Sequence, residues 1–153
     1  MKNRLRQAKE KLIGEGLSCV IMIDGNSPIC SGAIGIKPLM QELRRDRQAF
    51  AGGVIADKVV GKAAALLAVL GGAEAVYGCV MSRTAVEVLT NHHIYYEYDS
   101  SVPFIENRTR TGKCPMEAAV WEIEEPALAF DVLEETIAQL MADSPFKKEK
   151  FGV

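Results

Sequence analysis

Residues 58–70, KVVGKAAALLAVL, are apolar on nearly every face and rich in strong helix formers. A helix of that kind has no side to offer to water, so the rest of the chain must be wrapped around it. Short apolar runs flank it. Val54-Ile55-Ala56 precedes Asp57 as a brief strand, and Ala75 to Met81 follows Gly71-Gly72 as a buried one. Ser82 is placed to cap a helix running to Leu89, and Ile94 to Tyr98 reads as one more strand. The alternation β, α, β, α, β predicts a mostly parallel sheet with helices on both faces.

Upstream, residues 1–14 carry Leu5, Ala8, Leu12 and Ile13 at helical spacing, and Gly14 and Gly16 close the pattern. Leu17 to Ile23 and Pro28 to Ala33 are strand-like runs joined by the turn residues Asp24-Gly25-Asn26-Ser27, which predicts a β-hairpin. Lys37-Pro38 opens a second helix through about Arg45, with Leu39, Met40 and Leu43 as its apolar face. Downstream, Val102 to Lys113 has no periodicity and reads as a loop; Pro115 to Glu124 and Ala127 to Met141 read as helices split by Pro126. The expected fold is α/β: a three-layer α/β/α mixed sheet with an antiparallel N-terminal hairpin. One domain over residues 1–142 and a flexible tail over 143–153 are expected, since there is no repeat, low-complexity tract or long linker.

The 153 residues suffice for one core without metals or disulfides, and 48% hydrophobic with 25% charged residues is the balance of a globular protein. With 18 basic and 20 acidic residues the net charge is −2, so no global field favours nucleic acid or anionic lipid. Cys19, Cys30, Cys79 and Cys114 form no CxxC, which suits reduced thiols in a cytoplasm. No apolar h-region follows the charged start and no run has the length of a membrane span, so a cytoplasmic protein with no membrane partner is expected. A homo-oligomer is left open.

Two stretches carry a family resemblance: Ala56-Asp57-Lys58-Val59-Val60-Gly61-Lys62-Ala63-Ala64-Ala65 and Thr111-Gly112-Lys113-Cys114-Pro115-Met116-Glu117. They resemble the signature stretches of the bacterial DUF1893-type family over roughly residues 1 to 125. The element order is similar to the cytidine-deaminase-like fold. The resemblance implies a fold and no particular reaction.

Zinc deaminases need His or Cys, one residue, then Glu at one helix start, and P-C-x-x-C at the next strand-to-helix junction. The zinc lowers the pKa of its water and the Glu moves the proton. Here the first position reads Asp57-Lys58-Val59-Val60-Gly61-Lys62 and the second Gly78-Cys79-Val80-Met81-Ser82, so only Cys79 remains. No metal and no cofactor are expected, and deaminase chemistry is argued against. A P-loop is excluded too, because Gly53 is too far upstream and Ala63 follows Lys62.

The start of the central helix is the first candidate site. Its unpaired N–H groups and dipole favour an anion, Gly61 permits close approach, and Lys58 and Lys62 stand four apart. Equally, Asp57 serves as a plain cap with both lysines solvated. Cys114 before Pro115 is a candidate nucleophile at a helix start, with Lys113 and Glu117 to tune it, or a small buried residue. Asn107, Arg108, Thr109, Arg110 and Thr111 offer donors on the loop. His92-His93 reads as a helix end with no site, and the basic residues Lys2, Arg4, Arg6, Lys9, Lys11, Arg44, Arg45 and Arg47 as a solvated face. The resemblance, not spacing, places Ser82 and Cys114 beside the central helix.

The leading expectation is a protein that binds a small anionic or nucleotide-like ligand near Asp57, Lys58, Gly61, Lys62, Ser82, Asn107, Arg108, Thr111, Cys114 and Glu117. The alternatives are a non-zinc enzyme using Cys114 or Lys62, with rapid alkylation of Cys114 and slow reaction of the other thiols, and a protein-interaction module.

Overall fold

The computed structural model describes residues 1–33 and 35–143. Of the tail expected over 143–153, Asp143 is the last residue of a helix, and 144–153 lie outside the described residues. Helix α1 (Lys2–Gly14) leads into strands β1 (Cys19–Met22) and β2 (Ile29–Ser31), then α2 (Lys37–Arg45), β3 (Val54–Val60) and α3 (Lys62–Gly71). The remainder is β4 (Ala75–Ser82), α4 (Arg83–Asn91), β5 (Tyr95–Val102), α5 (Pro115–Ala119) and α6 (Pro126–Asp143).

The five strands lie in the order β2-β1-β3-β4-β5. β1 runs antiparallel to both β2 and β3, while β3, β4 and β5 are parallel. Side chains alternate across the sheet and divide the core in two. Leu5, Ala8 and Leu12 of α1 cover one face against Val20, Val54, Ala56, Ala75 and Tyr77. The other face, with Cys19, Ile21, Ile55 and Val76, carries α3 and α4, and α2, α5 and α6 close the same cluster from outside. The result is a three-layer α/β/α arrangement with an antiparallel hairpin at one edge.

The central helix is as buried as its composition requires: Ala65, Leu66 and Leu67 are fully enclosed. Its start, however, is not at residue 58. Val59 and Val60 continue β3 by pairing with Val80 and Met81, and Gly61 is the N-cap of α3. Two β-branched residues beside a parallel neighbour prolong the strand at the expense of the helix. Lys58 is therefore a strand residue, and the expected i, i+4 lysine pair on one helical face does not form. The helix ends where expected, at Gly72 with φ +86°, a left-handed cap that glycine accepts without strain.

Other boundaries shift. The predicted helix over 115–124 is helical only over 115–119, and Pro126 begins α6 instead of separating two helices. Strand β5 runs past Tyr98 to Val102 because β4 offers partners as far as Ser82. The segment after it is ordered. Glu106 bridges to Lys113, and the Asn107 carboxamide oxygen accepts the Thr111 N–H at 3.0 Å and the Thr109 hydroxyl at 3.2 Å. Lys113 lies 4.3 Å from the centre of the Trp121 ring, which ties the base of this small hairpin to the turn after α5.

Most basic side chains of the surface are engaged within the fold. Arg4 donates to Gly52 O and pairs with Glu74, Lys9 lies over the Tyr77 ring and pairs with Asp99, and Arg44 grips Glu134. Among the described residues no helix is long and apolar enough to cross a membrane.

Candidate functional site

Five segments line a cavity of about 340 Å³: the residue before β1, the end of β3, the start of α3, the approach to α2 and the hairpin leading into α5. Ile36, Val59, Ala63, Ala64, Ile105 and Met116 make its wall mainly apolar. Its volume is at the small end of the range for small-molecule sites.

Two buried carboxyl groups sit in this apolar setting, and they are held differently. Asp57 is 7% exposed and lies on β3 opposite Cys19 of β1. Its Oδ1 accepts the Val59 N–H at 3.2 Å. Burial pushes its pKa up to about 7, with the Val59 N–H, the Cys19 thiol and the Lys58 N–H opposing the rise. The Cys19 thiol is pushed well above the usual thiol range, first by burial and then by the Asp57 charge.

Glu117 is 2% exposed and both its oxygens are taken. Oε1 accepts the Lys62 N–H at 2.6 Å and Oε2 the Ile105 N–H at 2.8 Å. Burial raises its pKa, and the N–H groups of Ile105, Lys62 and Ala63 oppose the rise. Glu117 thus caps α3 from another element, supplying the acceptor that Gly61 lacks as N-cap. Gly61 has to be small for this: a Cβ there would stand 2.7 Å from Ile105 Cγ1 and 2.9 Å from Glu117 Oε1.

The residue pattern of a DUF1893 domain, described as a domain of unknown function, matches residues 7–137. The chain belongs to the DUF1893 family. The fold of this DUF1893 protein is similar to the crystal structure of the DUF1893 family protein TM1506 from Thermotoga maritima, with a TM-score of 0.79 and 27% identity. The match covers 88% of this chain and 90% of that one. No curated protein matches this sequence.

Of the residues singled out in the sequence of this DUF1893 protein, the fold brings Asp57, Lys58, Gly61, Asn107, Arg108, Cys114 and Glu117 together around the cavity. Lys62, Ser82 and Thr111 do not line it. Lys62 is 4% exposed, and its amine donates to Trp121 O at 2.8 Å and reaches Glu124 at 3.3 Å, away from the cavity. Ser82 is fully buried and caps α4 by accepting the Ala85 N–H at 3.1 Å, as its place before a helix predicts. Thr111 is spent inside the hairpin on Asn107.

The expected anion site at the start of α3 is filled by Glu117, whose carboxylate already accepts the first helical N–H groups. Cys114 lines the cavity, with its N–H donating to Ile105 O at 2.8 Å. Cys79 packs with Tyr77 on the α1 face of the sheet, opposite the cavity, because residues two apart on a strand share a face. The two stretches where a deaminase would carry zinc ligands do run side by side as β3 and β4, but Cys79 faces away from Asp57, and among the described residues no group of His, Cys, Asp and Glu side chains fits a metal. His92 and His93 end α4 away from the cavity.

Sequence reasoning missed Ser18, Gly35, Ile36, Ile105 and Met116 as cavity residues. Nothing in their local pattern separates them from core or loop residues. Only the crossing of β1, the approach to α2 and the hairpin over one strand end brings them together.

Proposed function

We propose that this DUF1893 protein binds a small ring-bearing, nucleobase-like molecule in the 340 Å³ cavity, with a ligand N–H or amino group on Asp57. The supporting observation is the buried Asp57 carboxyl in a mainly apolar wall. A carboxyl removed from water is costly unless its lone pairs are satisfied, and a donor on a flat apolar ring supplies both hydrogen bond and ring burial. Glu117 and the α3 backbone serve as rigid support. The scaffold is cytidine-deaminase-like in this reading, works without zinc, and acts in the cytoplasm, which the four unpaired cysteines favour.

The test is a thermal-shift and calorimetric screen of the purified protein against nucleobases, nucleosides and pyridoxine, repeated with Asp57→Asn. A ligand at 100 times its Kd adds about 2.7 kcal/mol, and that gain should fall sharply in the variant. Absence of any stabilisation, or full stabilisation of Asp57→Asn, refutes the reading. A second reading, covalent chemistry at Cys114, is favoured by the position of that residue on the same cavity. A mass increase on Cys114 equal to one whole uracil or cytosine nucleoside, from addition of the thiol S–H across the ring C5–C6 double bond with sulfur on C6 and hydrogen on C5, would support it, and its absence would refute it.

A further inference from the structure

Ser18, Asp57, Lys62, Ser82 and Glu117 are the polar or charged side chains buried among the described residues, and all but one are satisfied from within the fold. Ser18 donates to Gly32 O at 3.2 Å and Lys62 to Trp121 O, Ser82 accepts the Ala85 N–H, and Glu117 accepts N–H groups with both oxygens. Asp57 is the exception. An ionised carboxylate has lone pairs for about four hydrogen bonds, of which the Val59 N–H and the Cys19 thiol use two. Among the described residues no lysine or arginine pairs with it.

No neighbouring element supplies a cation. Lys58 follows Asp57 on β3, so its side chain stands with Ala56 on the α1 face of the sheet. Gly78, opposite Asp57 on β4, has no side chain, and Cys19, opposite it on β1, is a thiol held neutral by burial. From α3, Lys62 sends its amine to Trp121 O. Cys114 and Glu117 bring a thiol and a second acid to the cavity, and Glu106 and Arg108 are exposed charges of opposite sign at its rim. The inner wall therefore carries two carboxyl groups and neither an ammonium nor a guanidinium.

We propose that the ring-bearing ligand of this cavity is a cation: a flat aromatic amidinium, of the kind a protonated aminopyridine or aminopyrimidine presents, with its two N–H groups on the Asp57 carboxylate. The inference rests on the reading of the cavity given above and adds the sign of the ligand's charge, opposite to that of the anion expected at the start of α3. A buried carboxylate is costly unless an opposite charge and hydrogen bonds meet it together. Two parallel N–H donors match two carboxylate oxygens, and a charge spread over a planar group is less costly to take from water than a compact ammonium. Ile36, Val59 and Met116 offer apolar contact to the ring. Burial raises the Asp57 pKa to about 7, so the empty site is partly protonated near neutrality and the entering cation displaces that proton.

The experiment compares benzamidine with benzamide, which share a shape and differ in charge, by calorimetry on the full chain, with uracil and cytosine as nucleobase probes. At about pH 8 benzamidine should bind roughly tenfold or more tightly than benzamide, as expected when a charged hydrogen bond replaces a neutral one. Benzamidine stays charged as the pH falls to about 6, yet its affinity should drop about tenfold, because Asp57 takes up its proton over that range. In Asp57→Asn the preference for benzamidine should vanish; the pH arm reads the same charge in the unmodified protein. Benzamide binding as tightly as benzamidine overturns the cation inference, and leaves the reading of the cavity standing where both affinities fall in Asp57→Asn. A preference that persists in Asp57→Asn, or is the same at both pH values, also overturns it. If neither amide nor amidine binds while a neutral nucleobase does, the inference falls alone; if no ring compound binds, the underlying reading falls with it.

Discussion

Glu117 accepts the backbone N–H of Lys62 at 2.6 Å across 55 positions of chain, and so caps the central helix from the first turn of another one. The same carboxylate accepts the Ile105 N–H, so three segments of the cavity wall meet on one side chain.

Glu117→Ala should therefore cost about 2–4 kcal/mol of stability, because at least two backbone donors lose a buried acceptor. Glu117→Gln keeps one carbonyl oxygen and should lose less. Denaturant unfolding of the two variants checks this, and equal, negligible losses would refute the capping role.

Gly61→Ala tests the same junction from the other side. The added methyl would meet Ile105 Cγ1 at 2.7 Å and the Glu117 carboxylate at 2.9 Å, so a loss of about 1–3 kcal/mol is expected. Unfolding midpoints should fall accordingly; an unchanged midpoint would mean that the hairpin yields freely.

Asp57 makes stability depend on pH with a definite sign. Its folded pKa of about 7 exceeds the ~4 of an unfolded aspartate, so the folded state holds the proton more tightly. Its contribution is most favourable below about pH 4 and is lost as pH rises through about 7, at a cost of up to about 4 kcal/mol. Asp57→Asn should remove this dependence and gain on the parent protein as pH goes from 4 to 8. Urea titrations across that range decide it, and parallel pH profiles would refute the buried-carboxyl account.

Lys62 acts in support of the fold. With its amine on Trp121 O, Lys62→Met should cost about 1–3 kcal/mol by leaving that carbonyl without its donor. Ligand affinity at a temperature where both proteins are folded should be unchanged, and a selective loss of affinity would restore Lys62 to the site.

The thiols divide by access. Cys30 is exposed, Cys79 and Cys114 are intermediate, and Cys19 is buried. Iodoacetamide followed by peptide mapping should label Cys30 readily and Cys19 only after denaturation, which differs from the expectation that Cys114 alone reacts fast. A ligand in the cavity should slow Cys114 and leave Cys30 unaffected; protection of neither would argue against occupancy of this cavity.

What the sequence determined by itself is the layered α/β plan. The wholly apolar run around Leu66, the glycines after it, the period of α1 and the proline at the start of α2 are local signals, and local propensity with burial decides elements of that kind. The two signature stretches also carried the family, and they contain Asp57, Gly61, Cys114 and Glu117, which the fold brings to one cavity. Tertiary structure alone decided what these residues do. The pairing of Val59 and Val60 with β4 moved the helix start past Lys58 and turned Lys62 inward, an outcome set by a strand distant in sequence. Glu117 reads locally as a first-turn acid of its own short helix, yet it is spent on the N–H groups of another. Which donor a buried carboxylate satisfies depends on what the fold brings within about 3 Å of it, and no local pattern contains that distance.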